Sequence, residues 1–421
     1  MSLYSSIRNT GVAEVMVVLK EEAPGAAATA RFAEALKRHF HRSEYSRDEA
    51  LLRSLRSTRS IMRARAAGRT NASSIASVKS TAPPSRYYPH LGILFGTVDE
   101  QGLTALRSAK SVSKVLPAPD LRLIRPIMMA AARPKTGVTW GLRMLGIPEL
   151  WDQGLTGKGI LVGHLDTGVD GMHPALKGSV SAFAEFDALG NIVPRARPKD
   201  SEEHGTHTAG TIVGRAVRGV SFGVAPEAKL ASAMVIEGGH VMARILAGID
   251  WCIGQNVRIL NMSLGLPGYD EMFRPITQIL RKRGILPVFA IGNEGPGTSR
   301  YPGNYPEALS VGAIDAYGEI ADFSSSQRFK RAKASVVPSL VAPGVEVLSC
   351  TPKRGYKLMS GTSMATPHIA GLAALLLHAA PSTPVDKLEA AIFASCKRSK
   401  KLPKNRANRG LPYGPDALTR M

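Results

Sequence analysis

The sequence predicts an α/β protein: a mostly parallel sheet with helices on both faces, preceded by a small α+β domain. Three observations predict it. Over residues 137–421, apolar runs such as GILVGHLDTG, AKLASAMVI and ILPVFAIG alternate with amphipathic stretches such as HVMARILAGIDWCIGQN and FRPITQILRKRG, the signature of strands buried on both faces between helices. The first 125 residues instead read strand, helix, strand, helix, strand. The chain of 421 residues, 44% apolar and 21% charged, has room for both domains and an ample core.

The elements follow in order. GVAEVMVVLK reads as a strand and precedes an Ala- and Arg-rich stretch. Residues 66–86, AAGRTNASSIASVKSTAPPSR, are rich in small residues and read as a flexible insertion. Order resumes with HLGILFGTV, then the helical DEQGLTALRSAK and the strand VSKVLPAPDLRLI. RPIMMAAARPKTG is then expected to be a linker over 126–136, dividing a domain at 1–125 from one at 137–421. No internal repeat is present.

Composition excludes several classes. Three cysteines, Cys252, Cys350 and Cys396, are too few and too irregularly spaced for a disulfide framework or a zinc site. VMVVL is too short for a signal core, and no apolar run approaches the roughly 18 residues a membrane span needs. A cytoplasmic, reduced location and no membrane contact are therefore expected. The net charge of +21 raises nucleic acid as a partner. Basic clusters at 53–69 and 396–409 lack zinc-ligand spacing and stacking aromatics, and solvated cationic surface is the preferred account.

Four motifs carry chemistry. In VGHLDTGVDGMHP a buried strand runs into Asp166, an acid that needs a definite partner. In EEHGTHTAGTIVG, His204 and His207 open a helix; metal is disfavoured, since no third ligand stands at a familiar spacing. LPVFAIGNEGPG presents Asn293 between glycines, either a simple turn or a donor to a developing oxyanion. GTSMATPHIAGLAALLLHAA places Ser363 at the start of a long apolar helix. Thr362 serves there as an ordinary cap, or else the serine hydroxyl is presented for attack. A serine hydroxyl becomes a nucleophile only with a base to take its proton and an acid to hold that base, and these motifs supply both.

In the order DTG, HGTH, GNEG and GTSMATPH, residues 137–421 closely resemble the subtilisin-like serine proteases. The resemblance implies a serine endopeptidase without a cofactor, acting on protein or peptide substrates. It implies Asp166, His204 and Ser363 as catalytic triad, and Asn293 with the Ser363 backbone N–H as oxyanion donors. Ser263, Leu264 and Gly265 would pair with an extended substrate, and Ala290, Ile291 and Gly292 would wall the primary specificity pocket. Arg300 falls at the base of that pocket. Turned inward it would favour an acidic residue before the scissile bond; turned to solvent it would not. The family's frequent calcium site is expected to be missing, because Ala175 and Val217 stand where oxygen ligands would be needed. Residues 90–126 resemble part of the family's inhibitory propeptide, which implies an intramolecular inhibitor and folding aid, with an unrelated accessory domain as the alternative.

Overall fold

The computed structural model describes residues 3–20, 26–40, 85–236 and 241–421. The predicted insertion lies outside the described residues as far as 84; its last two residues open a strand instead. The basic cluster at 53–69 also lies outside them.

Two compact units divide the chain. The first takes in Met1–Asp120, Phe186–Ile192 and Ile236–Asp250. It runs α1 (Leu3–Thr10), β1 (Ala13–Leu19), α2 (Ala26–Leu36), β2 (Ser85–Tyr88), β3 (Ile93–Val98), α3 (Glu100–Ser108) and β4 (Val112–Pro117). The strands form an antiparallel sheet in the order β2-β3-β1-β4. Alternation within β1 sends Val15, Val17 and Leu19 into one core with Leu94, Leu103 and Leu106. Asp99 caps α3, its Oδ1 accepting from the Gly102 N–H at 2.7 Å. The Tyr88 hydroxyl donates to the Ala243 carbonyl at 3.0 Å, and Asp250 accepts from the N–H groups of His90 and Leu91.

The second unit holds Leu121–Glu185, Val193–Val235 and Trp251–Met421. Two short strands come first, β5 (Arg122–Leu123) and β6 (Met128–Ala131). There follow β7 (Leu161–Asp166), β8 (Val180–Glu185), α4 (His204–Val213), β9 (Lys229–Met234), β10 (Ile259–Met262) and β11 (Leu264–Pro267). The chain continues through α5 (Arg274–Lys282), β12 (Leu286–Ala290), β13 (Leu309–Ile314), β14 (Leu340–Pro343), β15 (Val347–Thr351), β16 (Gly355–Ser360) and α6 (Thr362–Ala379). Seven of these strands form one all-parallel sheet in the order β14-β13-β12-β10-β7-β9-β8. From β7 the chain first builds outward through β8 and β9, then crosses to β10 on the other side. The order therefore reverses beside β7, where open α/β sheets place ligands beyond the strand ends. Asp166 ends β7, and Ser263 directly follows β10.

Two boundaries differ from the sequence expectation. The contact division falls after Asp120 rather than at 125, and the stretch 126–136 contains β6, paired antiparallel with β16. All four residues of β6 are exposed, so no apolar pattern announces it. Backbone pairing to a neighbouring strand, not burial, makes it a strand.

Candidate active site

Asp166 is fully buried. Its Oδ1 accepts from the Thr167 N–H at 2.8 Å and from His204 Nδ1 at 2.7 Å. Burial alone would push this carboxyl up, but the charge and hydrogen bond of His204, with help from His164 and Thr167, hold it below the usual range. For His204 burial again opposes charge. Asp166 overcomes it through charge and hydrogen bond, with Asp200 and Glu202 contributing, so the imidazole is raised above its ordinary value. The other ring nitrogen, Nε2, is buried and has no hydrogen-bond partner among the described residues. His207 takes no part in the pair. Its Nε2 lies 3.0 Å from the Val347 carbonyl and 3.2 Å from that of Lys357, and burial pushes it down to about 3.

Ser363 lies in the first turn of α6, where backbone N–H groups have no helical acceptors. Pro367, four residues on, lacks the N–H that would bond the Ser363 carbonyl. That carbonyl is approached instead by Ser263 Oγ at 3.5 Å. Asn293 is held by Thr362, whose N–H and hydroxyl both donate to its Oδ1 at 2.9 Å. With the oxygen tied down, Nδ2 is free to donate to the Arg125 carbonyl at 2.9 Å.

A peptide already occupies this cleft, and it belongs to the same chain. Strand β5 pairs antiparallel with β11, Leu123 opposite Leu264 and Arg122 opposite Gly265. The Ile124 N–H donates to the Ser263 carbonyl at 2.9 Å. Beyond Ser363 the Ile127 N–H donates to the Ser360 carbonyl, and β6 continues along β16. Between these anchors the two carbonyls are out of step. The Ser363 hydroxyl donates to the carbonyl of Ile124 at 2.6 Å, while Asn293 Nδ2 donates to that of Arg125 at 2.9 Å. The Arg125 side chain leaves the cleft and forms a two-point ion pair with Glu202 at 2.8 and 2.9 Å.

The subtilase family profile matches residues 157–414, more than half of the sequence. The chain belongs to the subtilase family. It is 36% identical over 266 residues to the major intracellular serine protease of Bacillus subtilis, covering 61% of this chain and 80% of that one. It is 37% identical over 269 residues to the subtilisin-like protease PopC of Myxococcus xanthus, covering 56% and 55%. Subtilisin E of Bacillus subtilis is 36% identical over 252 residues, covering 58% and 62%. The protein is thus a subtilisin-like serine endopeptidase. Among the described residues no helix is long and apolar enough to cross a membrane.

Ala290, Ile291 and Gly292, expected to wall the specificity pocket, are all buried. Two glycines in this region leave little room for a side chain. A Cβ on Gly292, whose φ is +120°, would stand 2.7 Å from Glu294 Oε2 and 3.1 Å from Arg300 Cγ. One on Gly265 would come within 2.8 Å of the Tyr301 carbonyl and 3.6 Å of the Ile124 side chain. The Arg300 charge is already met. Nε donates to Glu294 Oε1 at 2.9 Å, Nη2 also reaches that oxygen, and Nη1 donates to the Gly265 carbonyl at 3.1 Å. Sequence reasoning missed Glu294 in this role, although it stands inside the GNEG motif. It also gave Thr362 only a helix cap, when its side chain clamps Asn293. The basic cluster at 396–409 is partly paired: Lys397 with Asp416 and Lys401 with Glu319.

Proposed function

We propose that this subtilase cleaves peptide bonds through an acyl-enzyme on Ser363. His204 Nε2 takes the hydroxyl proton as Oγ attacks the carbonyl carbon. Asn293 Nδ2 and the Ser363 N–H hold the oxyanion, and Asp166 stabilises the imidazolium. His204 then returns the proton to the leaving amine; water attacks the ester by the same route in reverse. The carrying observations are that Asn293 Nδ2 and Ser363 Oγ donate to the carbonyls of adjacent residues, Arg125 and Ile124, and that His204, bonded to Asp166 through Nδ1, keeps Nε2 without a partner among the described residues.

The uncut chain is held inactive by its own segment Leu121–Ala131. Ile124 has the backbone pairing of a residue before a scissile bond, yet its carbonyl lies on the serine hydroxyl instead of at Asn293. The carbonyl that does reach Asn293 belongs to Arg125, whose next bond leads to the tertiary amide of Pro126. Neither bond meets the nucleophile and the oxyanion donor together. The first 120 residues serve as a propeptide-like domain that delivers this segment. Action inside the cell accords with the printed name of one relative and with three free cysteines.

Protein nicked within Leu121–Ala131 by an added protease that is then removed, and its Ser363→Ala variant treated alike, assayed on a peptide library with fluorophosphonate labelling, test the reading. Hydrolysed products and label are expected from the first and not from the second. Equal hydrolysis by both would overturn it.

A further inference from the structure

Next to Asp166 stand three linked polar side chains that the mechanism does not use. His164 lies two residues earlier on β7, hence on the same face of the strand. It is wholly buried. Its Nδ1 lies 3.1 Å from Ser232 Oγ on β9, and its Nε2 lies 2.9 Å from Thr208 Oγ1 on α4. Thr208 Oγ1 in turn lies 3.2 Å from Asp166 Oδ2, the carboxylate oxygen that His204 leaves free. A buried imidazole here is a choice with a consequence, since an apolar residue would fill the same space without needing partners.

We propose that Ser232, His164 and Thr208 form a one-way relay of hydrogen bonds that holds Asp166 in place, making Thr208 and His164 positioning residues for the catalytic pair. A hydroxyl has one hydrogen. If Thr208 donates it to Asp166, His164 must donate from Nε2 to Thr208 Oγ1, and Ser232 must donate to Nδ1. If His164 carried its proton on Nδ1, Thr208 would donate to Nε2 and abandon the carboxylate. The anion selects the first arrangement, because His164 Nε2 is itself only 3.9 Å from Asp166 Oδ2 and an N–H directed there is favoured by charge. Thr208 has fallback acceptors in the carbonyls of His204 and Gly205, at 3.2 and 3.1 Å. The tautomer of His164 therefore decides which acceptor the hydroxyl serves.

All the donor hydrogens in this relay point toward Asp166, so their dipoles oppose protonation of the neighbouring His204. The charged and titratable groups that act on His164 are Asp166, Asp200 and His204, those that act on His204 are Asp166, Asp200 and Glu202, and the Cys252 thiol lies against the His164 backbone. Burial keeps His164 itself below its ordinary value despite Asp166.

The inference rests on the proposed roles of Asp166 and His204, but its test needs no turnover. Full-length protein labelled with ¹⁵N-histidine is titrated by NMR as wild type, Thr208→Val, Thr208→Ser, His164→Val and Ser232→Ala. His164 is expected as the neutral Nε2–H tautomer in the wild type, and more mixed in Ser232→Ala. His204 is expected to titrate higher in Thr208→Val by about half a unit, roughly a threefold change in proton affinity, and unchanged in Thr208→Ser. His164→Val should move it the same way by less. An Nδ1–H tautomer in the wild type, or a His204 titration indifferent to Thr208→Val, overturns the relay. Either result leaves the hydrolysis test with Ser363→Ala standing on its own.

Discussion

Replacing Thr362 with valine keeps its shape and removes a hydroxyl whose oxygen accepts from the Gly292 N–H at 3.3 Å and whose hydrogen holds Asn293. That hydrogen is the second of two holding Asn293 Oδ1, the other being the Thr362 N–H at the same 2.9 Å. The hydroxyl has an alternative acceptor in the Gly292 carbonyl, but at 3.3 Å, so Asn293 receives the better bond. A buried neutral hydrogen bond contributes about 1 kcal/mol net. Because the amide is needed in place when negative charge develops, that loss should appear in the transition state and lower kcat by about fivefold with KM little changed. Removing an oxyanion amide outright costs about 10² to 10³ in kcat, a figure measured in a subtilisin and so borrowed from a relative. The decisive comparison is a double-mutant cycle. In an Asn293→Ala background Thr362→Val should lower kcat by no more than about 1.5-fold, since nothing remains for the hydroxyl to orient. Rates are taken on a chromogenic peptide and normalised to the sites that a fluorophosphonate labels, so occupancy of the cleft by the chain's own segment cancels. A loss confined to KM, or an equal loss in both backgrounds, would refute the reasoning.

Other outcomes follow from the same coordinates. Pro126→Ala frees Arg125 from the restriction a following proline imposes, so the Ile124 carbonyl can reach Asn293; intact mass should show new self-cleavage at Ile124–Arg125, absent when Ser363→Ala is added. His204 is active as a base only when neutral, and Asp166 raises it above 6.5, so the acid limb of kcat/KM should have its midpoint above that value. Glu294→Gln unmasks the Arg300 guanidinium and should raise cleavage after Glu relative to Leu by about tenfold in matched peptides; no change would mean that Arg300 does not reach the substrate. Burial holds His207 down to about 3 and His368 to about 4. The unfolded chain thus takes up more protons than the fold below pH 6.5, and stability should fall from there toward pH 4. In thermal melts of Ser363→Ala protein, His368→Gln should flatten that slope.

The motifs that carry the family resemblance were legible because they are compressed into short strings at strand ends. Asp166 terminates a buried strand, and His204 and Ser363 open helices whose faces are apolar. Four of the seven sheet strands were equally clear as continuous apolar runs. β8, β13 and β14 were not. β8 is a half-exposed edge, β13 is broken by Ser310 and Gly312, and β14 has four residues ending in a proline. The occupied cleft was legible only as a propeptide resemblance. Nothing in LRLIRPIMMAAARP states that β11 and β16 lie ready to pair with it, because those contacts cross more than 130 positions of sequence. Arg300 and Glu294 are six residues apart, yet only the fold of the loop between them turns one onto the other.

The occupant of the cleft has a consequence for how activity responds to concentration. While Leu121–Ala131 is continuous with the rest of the chain, tethering keeps it at an effective concentration on the order of millimolar, and dilution cannot relieve it. One break within the segment changes the order of the reaction. The amino-terminal fragment then becomes a separate molecule whose hold weakens as the solution thins. A nicked sample should gain specific activity on dilution, whereas an unbroken one should not.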